Sequence, residues 1–135
     1  MPKKILVTGG AGFIGSHTAD LLISKGHEVI VLDNLSTGNK KNINQKAKFI
    51  HGDIINVDKY SKKLKNVDAV LHCAAQISVS SSLKNPVKDA NVNVLGSLKL
   101  LELCRKLGIK KFVFSSTAGV YGDIPKSKLP VAENY

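Results

Sequence analysis

The sequence predicts an α/β fold, a doubly wound parallel sheet with strand order 3-2-1-4-5. Three observations carry that expectation. Five short apolar runs, Lys3 to Thr8, Glu28 to Asp33, Lys48 to His51, Asp68 to His72 and Lys111 to Ser115, alternate with segments of helical or polar pattern. A glycine cluster at Gly9, Gly10, Gly12 and Gly15 stands between the first run and the first helix pattern. The chemically distinctive residues fall at the carboxyl ends of the runs, where open parallel sheets place their ligands.

Each element has a local reason. After the first strand, a helix is expected from about Phe13 to Lys25, with Ile14, Leu21 and Leu22 toward the sheet and Gly26 as its stop. Residues 34 to 47 are polar and read as a loop with room for a short helix. Gly52-Asp53 closes the third strand, and a helix follows from about Val57 to Lys65. The fourth run is nearly continuous in apolar residues, which suits a strand buried on both faces. Residues 77 to 86 are rich in Ser and end in Asn85-Pro86. A long helix then runs from about Pro86 to Leu107, its apolar positions Val94, Leu98, Leu101 and Leu103, with Gly108 as its stop. The tail from Gly122 is polar, holds Pro125 and Pro130, and reads as irregular.

The first βαβ unit implies a ligand. Gly10-x-Gly12-x-x-Gly15 follows a strand, opens a helix and precedes the acidic Asp33, the full context of a dinucleotide fingerprint. One glycine permits the turn, one lets the backbone approach a pyrophosphate, and one lets helix and strand pack closely. Phe13 and Ile14 begin the helix, whose N-terminal N–H groups attract phosphate. Asp33 is placed to accept from a ribose 2′-OH and would repel a 2′-phosphate; no Lys or Arg follows before Lys40. The expected cofactor is therefore NAD.

Composition bounds the rest. The 135 residues form one domain, residues 1–135, large enough for a core. No apolar stretch approaches the ~20 residues of a membrane span, and Met1-Pro-Lys-Lys-Ile reads as the approach to a strand rather than a signal peptide. Cys73 and Cys104 lack metal or redox spacing, so they read as reduced thiols of a cytoplasmic protein, and no metal is expected. The net charge is +10, but the lysines are scattered, Arg105 is the sole arginine and aromatic residues do not interleave with the basic ones. That argues against nucleic acid as a partner; a basic surface also attracts an anionic nucleotide.

From Thr8-Gly-Gly-Ala-Gly-Phe-Ile-Gly-Ser-His onward, the chain resembles the extended short-chain dehydrogenase/reductase family, whose cofactor domain is of the Rossmann type. Asp33-Asn34, continued by Ser36, Thr37 and Gly38, resembles its ribose-binding segment, and Gly52-Asp53-Ile54 its adenine-edge motif. His72-Cys73-Ala74-Ala75-Gln76 resembles the loop that lines the cofactor, and Asn93-Val-Leu-Gly-Ser a helix motif with a hydrogen-bonding Asn. Phe114-Ser-Ser-Thr-Ala-Gly-Val-Tyr-Gly resembles the segment that carries the catalytic hydroxyl. Within the family the likeness is greatest to NAD-dependent nucleotide-sugar epimerases of the UDP-glucose 4-epimerase type. The resemblance implies Thr117 as the residue that hydrogen-bonds the reacting sugar hydroxyl, with Ser116 as competitor, and a UDP-sugar as substrate. Related dehydratases carry Asp-Glu after that Thr; here Ala118-Gly119 stand there and cannot transfer a proton.

Other polar residues have plainer readings. His72 ends a buried strand and reads as packed, and Ser16 and His17 read as capping or packing residues. Asn93, unfavourable inside a helix, suggests a hydrogen-bonding task. The family's active site also needs Tyr-x-x-x-Lys. Tyr60 is followed four residues later by Leu64, Tyr121 by Pro125, and Tyr135 is the last residue. The chain thus reads as the amino-terminal, incomplete cofactor domain of an epimerase, holding NAD without turning sugar over. The alternatives are a stand-alone NAD-binding or interaction module, or the same part of a related dehydratase, reductase or decarboxylase. An uncovered sheet face should expose apolar surface and favour a homodimer or other self-association.

Overall fold

A computed structural model describes residues 1–135. Five strands, β1 (Lys4–Thr8), β2 (Glu28–Asp33), β3 (Lys48–His51), β4 (Ala69–His72) and β5 (Lys111–Phe114), form one sheet in the order β3-β2-β1-β4-β5. All four pairings are parallel; Val7 stands between Val31 and Leu71, and Leu71 in turn faces Val113. The order reverses between β1 and β4, so a crevice opens beyond their carboxyl ends. This is the architecture that the alternating runs predict.

The period of two along the strands divides the core in two. Leu6, Ile30, Leu32, Ile50 and Val70 face one side and pack with Ile54, Val57, Leu64, Leu100, Leu103 and Cys104. Ile5, Val7, Val29, Val31 and Ala69 face the other, against Ala19 of α1 (Phe13–Ser24), with Leu22 and Ile23 partly buried beside it. The expected orientation of α1 is corrected here: Ile14 and Leu21 are exposed. A side chain at Gly15 would run into the Gly9 carbonyl. That close contact sets the helix phase, turning Gly15, Ala19 and Leu22 inward.

Three further differences concern helices. The segment expected from Val57 is a tight 3₁₀-type run over Ile54–Leu64, broken by non-helical dihedrals at Asn56. It starts early because the Asp53 side chain accepts the Ile55 N–H and caps it. The Ser-rich stretch holds a short helix, α2 (Val79–Lys84), whose N-cap hydroxyl, Ser78 Oγ, accepts from the Ser81 N–H at 3.2 Å.

The long helix is α3 (Pro86–Ala90), a π-helical turn over Asn91–Gly96, and α4 (Ser97–Leu107), ended by Gly108 at φ +71°. Its buried positions are Gly96, Leu100, Leu103 and Cys104, whereas Val94, Leu98 and Leu101 are exposed. The π turn shifts the phase between the two halves, and Gly96 lets the helix meet Ile54, whose Cδ1 lies 2.8 Å from where a Cβ would stand. Beyond α4, β5 forms an edge with Val113 and Phe114 50% and 60% exposed.

Candidate dinucleotide site at the carboxyl ends of the strands

The glycine turn is built from close approaches. Gly9 has φ +69°, and a Cβ there would sit 2.7 Å from the Ala74 nitrogen, so the turns after β1 and β4 touch through backbone. A Cβ at Gly10 would meet Val31 Cγ1 at 2.6 Å. With Gly15, these positions are glycine because the fold itself demands it. Gly12 differs: its absent Cβ would meet only the Gly9 carbonyl oxygen, at 3.3 Å. The space before Gly12 is open, a cradle that a side chain would fill.

That cradle faces the start of α1, where Gly12 is the N-cap without a side-chain cap and the first turn holds no acid. The Gly12 N–H bonds Gly9 O at 3.1 Å and the Ser16 N–H bonds Gly12 O at 3.0 Å, while the N–H groups of Phe13 and Ile14 take no part in the turn and loop hydrogen bonds. Free N–H groups and the positive end of the helix dipole suit a pyrophosphate. Ser16 and His17 are not caps: Ser16 Oγ donates to Phe13 O, and His17 Nδ1 lies 2.8 Å from the same carbonyl.

Asp33 is buried, 8% exposed, and ties two loops together. Its Oδ2 accepts the Ala11 N–H at 2.9 Å and its Oδ1 the Leu35 N–H at 2.7 Å. Ala11 O in turn accepts from Asn39 N and from Asn42 Nδ2, both at 3.0 Å. Gly38 lies close enough that a Cβ would stand 2.7 Å from the Ala11 Cβ. The loop after β2 is thereby clasped onto the glycine turn. Asn34 Nδ2 donates to Asp53 Oδ2 at 2.8 Å, joining the ends of β2 and β3, and its Oδ1 accepts the Ser36 N–H. Leu35 between them sits at φ +58°, and Ser36 and Thr37 are exposed at the loop's tip. Ile54 points away: its side chain is in the core.

At the end of β4, Asn93 holds the loop. Its Oδ1 accepts the Gln76 N–H at 2.8 Å and its Nδ2 donates to Gln76 O at 2.9 Å and Asp89 Oδ1 at 3.2 Å. Gln76 Nε2 also donates to Asp89 Oδ1. Cys73, Ala74 and Gln76 are half-buried in this loop and Ala75 is exposed. His72 lies beneath it, its Nδ1 2.6 Å from Thr8 Oγ1 and its Nε2 2.8 Å from Ser97 Oγ. Burial lowers its pKa to about 4, so the ring is neutral at pH 7.

Beyond β5, Ser115 Oγ lies 3.3 Å from Cys73 Sγ. Thr117 Oγ1 accepts the Gly119 N–H at 3.1 Å and caps a single 3₁₀ turn, Ala118–Tyr121. Its own proton is not used by that bond. Ser116 is exposed beside it. Ala11, Thr8 and Ser97 stand inside the quoted motifs but received no role of their own from the sequence, and Asp89 lies outside them. Their roles lie in backbone groups or in partners 4 to 66 residues away along the chain, which spacing does not show.

The fold and this crevice define a dinucleotide-binding domain of the doubly wound class. The chain belongs to the NAD dependent epimerase/dehydratase family, which matches residues 5–135. It is 47% identical over 133 residues to a UDP-glucose 4-epimerase of Lactobacillus helveticus, covering 97% of this chain and 40% of that protein. A UDP-glucose 4-epimerase of Klebsiella pneumoniae is 41% identical over 140 residues, covering 97% of this chain and 99% of that one. Among solved structures, UDP-glucose 4-epimerase of Thermotoga maritima with UDP-glucose aligns at a TM-score of 0.84 and 49% identity, over 91% of this chain and 41% of that one. The Thermus thermophilus UDP-glucose 4-epimerase in complex with NAD aligns at 0.83 and 45% identity, over 91% of this chain and 40% of that one. The chain thus spans about two fifths of most of these relatives.

Proposed function

We propose that these residues form the NAD-holding part of a nucleotide-sugar 4-epimerase of the UDP-glucose/UDP-galactose type, and that by themselves they bind NAD without epimerising. The open cradle at Gly12, facing the unpaired N–H groups of α1, is the observation that carries the cofactor reading. The Gly12 cradle and the α1 N–H groups would hold the NAD pyrophosphate, Asp33 with Asn34 would hold its ribose, and Asp53 would accept from its adenine amino group. Gln76 and Asn93 hold the loop beside the cofactor. When bound, NAD supplies the hydride acceptor and donor for the sugar C4.

Thr117 is the chain's own contribution to proton movement. Its oxygen is held by the Gly119 N–H, and its hydroxyl hydrogen remains free to donate to a reacting oxygen. Ala118 and Gly119 hold no acid or base, which favours epimerisation over dehydration. Tyr60 has Leu64 and Tyr121 has Pro125 four residues on, so neither is the tyrosine of a Tyr/Lys base. The exposed apolar positions of α4 and β5, Leu98, Leu101, Val113 and Phe114, favour self-association.

Calorimetric titration with NAD and NADP tests the cofactor reading, with binding of NAD and none of NADP expected. A coupled assay with UDP-galactose should show no turnover; measurable epimerisation by these residues alone overturns the second half. Sedimentation at high concentration should show species larger than the monomer.

A further inference from the structure

His72 has no direct place in the cofactor contacts above, yet both of its ring nitrogens are engaged. It is 2% exposed, with the rings of Phe112 and Phe114 centred 5.7 and 5.5 Å from its own. The direction of each proton around it follows from the ends of the chain of bonds. Ser97 Oγ is 2.8 Å from the Asn93 carbonyl oxygen, which can only accept, so the Ser97 proton goes there. Ser97 Oγ therefore accepts from His72, and Nε2 carries the ring hydrogen. In a neutral imidazole Nδ1 is then the acceptor, and it takes the Thr8 hydroxyl proton at 2.6 Å. Thr8 Oγ1 in turn accepts the Ala74 N–H at 3.3 Å.

One end of this series is the loop after β4, at Ala74, and the other is the π turn, at Asn93. Ala74 is the residue against which Gly9 is pressed. Asn93 stands in the π turn and clamps Gln76 by both its N–H and its C=O. The Ser97 N–H bonds Val94 O, and the Ser97 hydroxyl serves the Asn93 carbonyl. A side-chain bond thus anchors the π turn at the residue that aims Asn93.

We propose that His72 is a positioning residue of the cofactor site: a fixed neutral Nε2–H tautomer that joins the end of β1 to the π turn, and so sets where Asn93 holds the Ala74–Gln76 loop. The inference rests on reading the crevice as the NAD site, and assigns a role there to a residue that touches no cofactor.

The test uses the 135-residue chain and three readouts. Nitrogen-15 spectra of the imidazole at pH 7 should show Nε2 protonated and Nδ1 bare. Amide hydrogen exchange, measured without NAD, should show Gln76 protected. In Ser97→Ala, Gln76 should exchange about tenfold faster relative to the core amide Val31, and NAD should bind about tenfold more weakly, the scale of one lost hydrogen bond. His72→Gln, which can still donate to Ser97, should keep most of the Gln76 protection, and His72→Leu should lose it. An Nδ1–H tautomer overturns the proposal. So does Ser97→Ala speeding Gln76 and Val31 alike, the mark of general destabilisation, or equal behaviour of the Gln and Leu variants. If the amide results hold but the wild-type chain binds no NAD, the cofactor reading fails while the His72 link stands.

Discussion

Asp33, the last residue of β2, holds Ala11 in the middle of the glycine turn: its Oδ2 accepts the Ala11 N–H at 2.9 Å, with the carboxylate 8% exposed. Its Oδ1 is committed to Leu35 N–H. The acid that the sequence marks for ribose recognition is therefore also a brace between two loops. Asp33→Ala should lose about 3 kcal/mol of stability, since hydrogen bonds to a charged group are each worth ~1.5–3 kcal/mol. It should weaken NAD binding without creating NADP binding. Urea denaturation and calorimetry read both effects, and a stable Asp33→Ala chain that gained NADP binding would refute the bracing role.

The glycines should separate by function. Gly15→Ala drives a methyl into the Gly9 carbonyl and should destabilise the fold by about 1–3 kcal/mol, the usual cost of overpacking. Gly12→Ala meets only the Gly9 oxygen at 3.3 Å, so it should fold with a stability loss under about 1 kcal/mol. It should nevertheless lose most NAD affinity, because the methyl occupies the cradle. Thermal melts beside NAD titrations of the two variants give the comparison. Equal melting losses with equal affinities would show that Gly12 faces no ligand.

The neutral state of His72 sets a pH dependence. Its pKa falls to about 4 in the folded chain by burial, against an ordinary value of 6.5. The unfolded chain therefore binds the extra proton first, and stability rises with pH across this interval. The contribution is fully present above pH 6.5 and is lost as pH falls toward 4, amounting to about 3 kcal/mol over that window. The difference between wild-type and His72→Gln stability should shrink on acidification. A difference that stays constant from pH 7 to pH 4 contradicts this.

The two cysteines should react unequally. Cys104 is buried in the core, and burial pushes its thiol pKa up, which keeps it out of the reactive thiolate form. Cys73 is half-buried at the crevice, beside Ser115. A thiol reagent should modify one equivalent quickly, at Cys73, and NAD should slow that reaction. Fast modification of both, or none slowed by NAD, would contradict the placement.

Much of this molecule was legible before its structure. The five runs, their parallel order and the glycine–acid pairing follow from alternation and spacing, because strand period, turn glycines and crossover handedness are local rules. Asn93 stood out because a helix interior disfavours Asn, and it does hold the loop at Gln76. The helix faces were less legible. In α1 and α4 apolar residues occur on more than one side, so periodicity alone leaves the phase open. The Gly15–Gly9 contact and the π turn at Asn91–Gly96 settle it.

What the sequence determined by itself was therefore the fold class and the place of its motif residues at the carboxyl ends of the strands, since each depends on neighbours along the chain. Only the tertiary structure decided that Asp33 braces Ala11 and that His72 links Thr8 to Ser97. Those are relations between backbone and side-chain atoms brought together by the sheet from positions 22, 25 and 64 residues apart. A donor and its acceptor leave no joint mark in composition or period; they become partners only when the strands fix their distance.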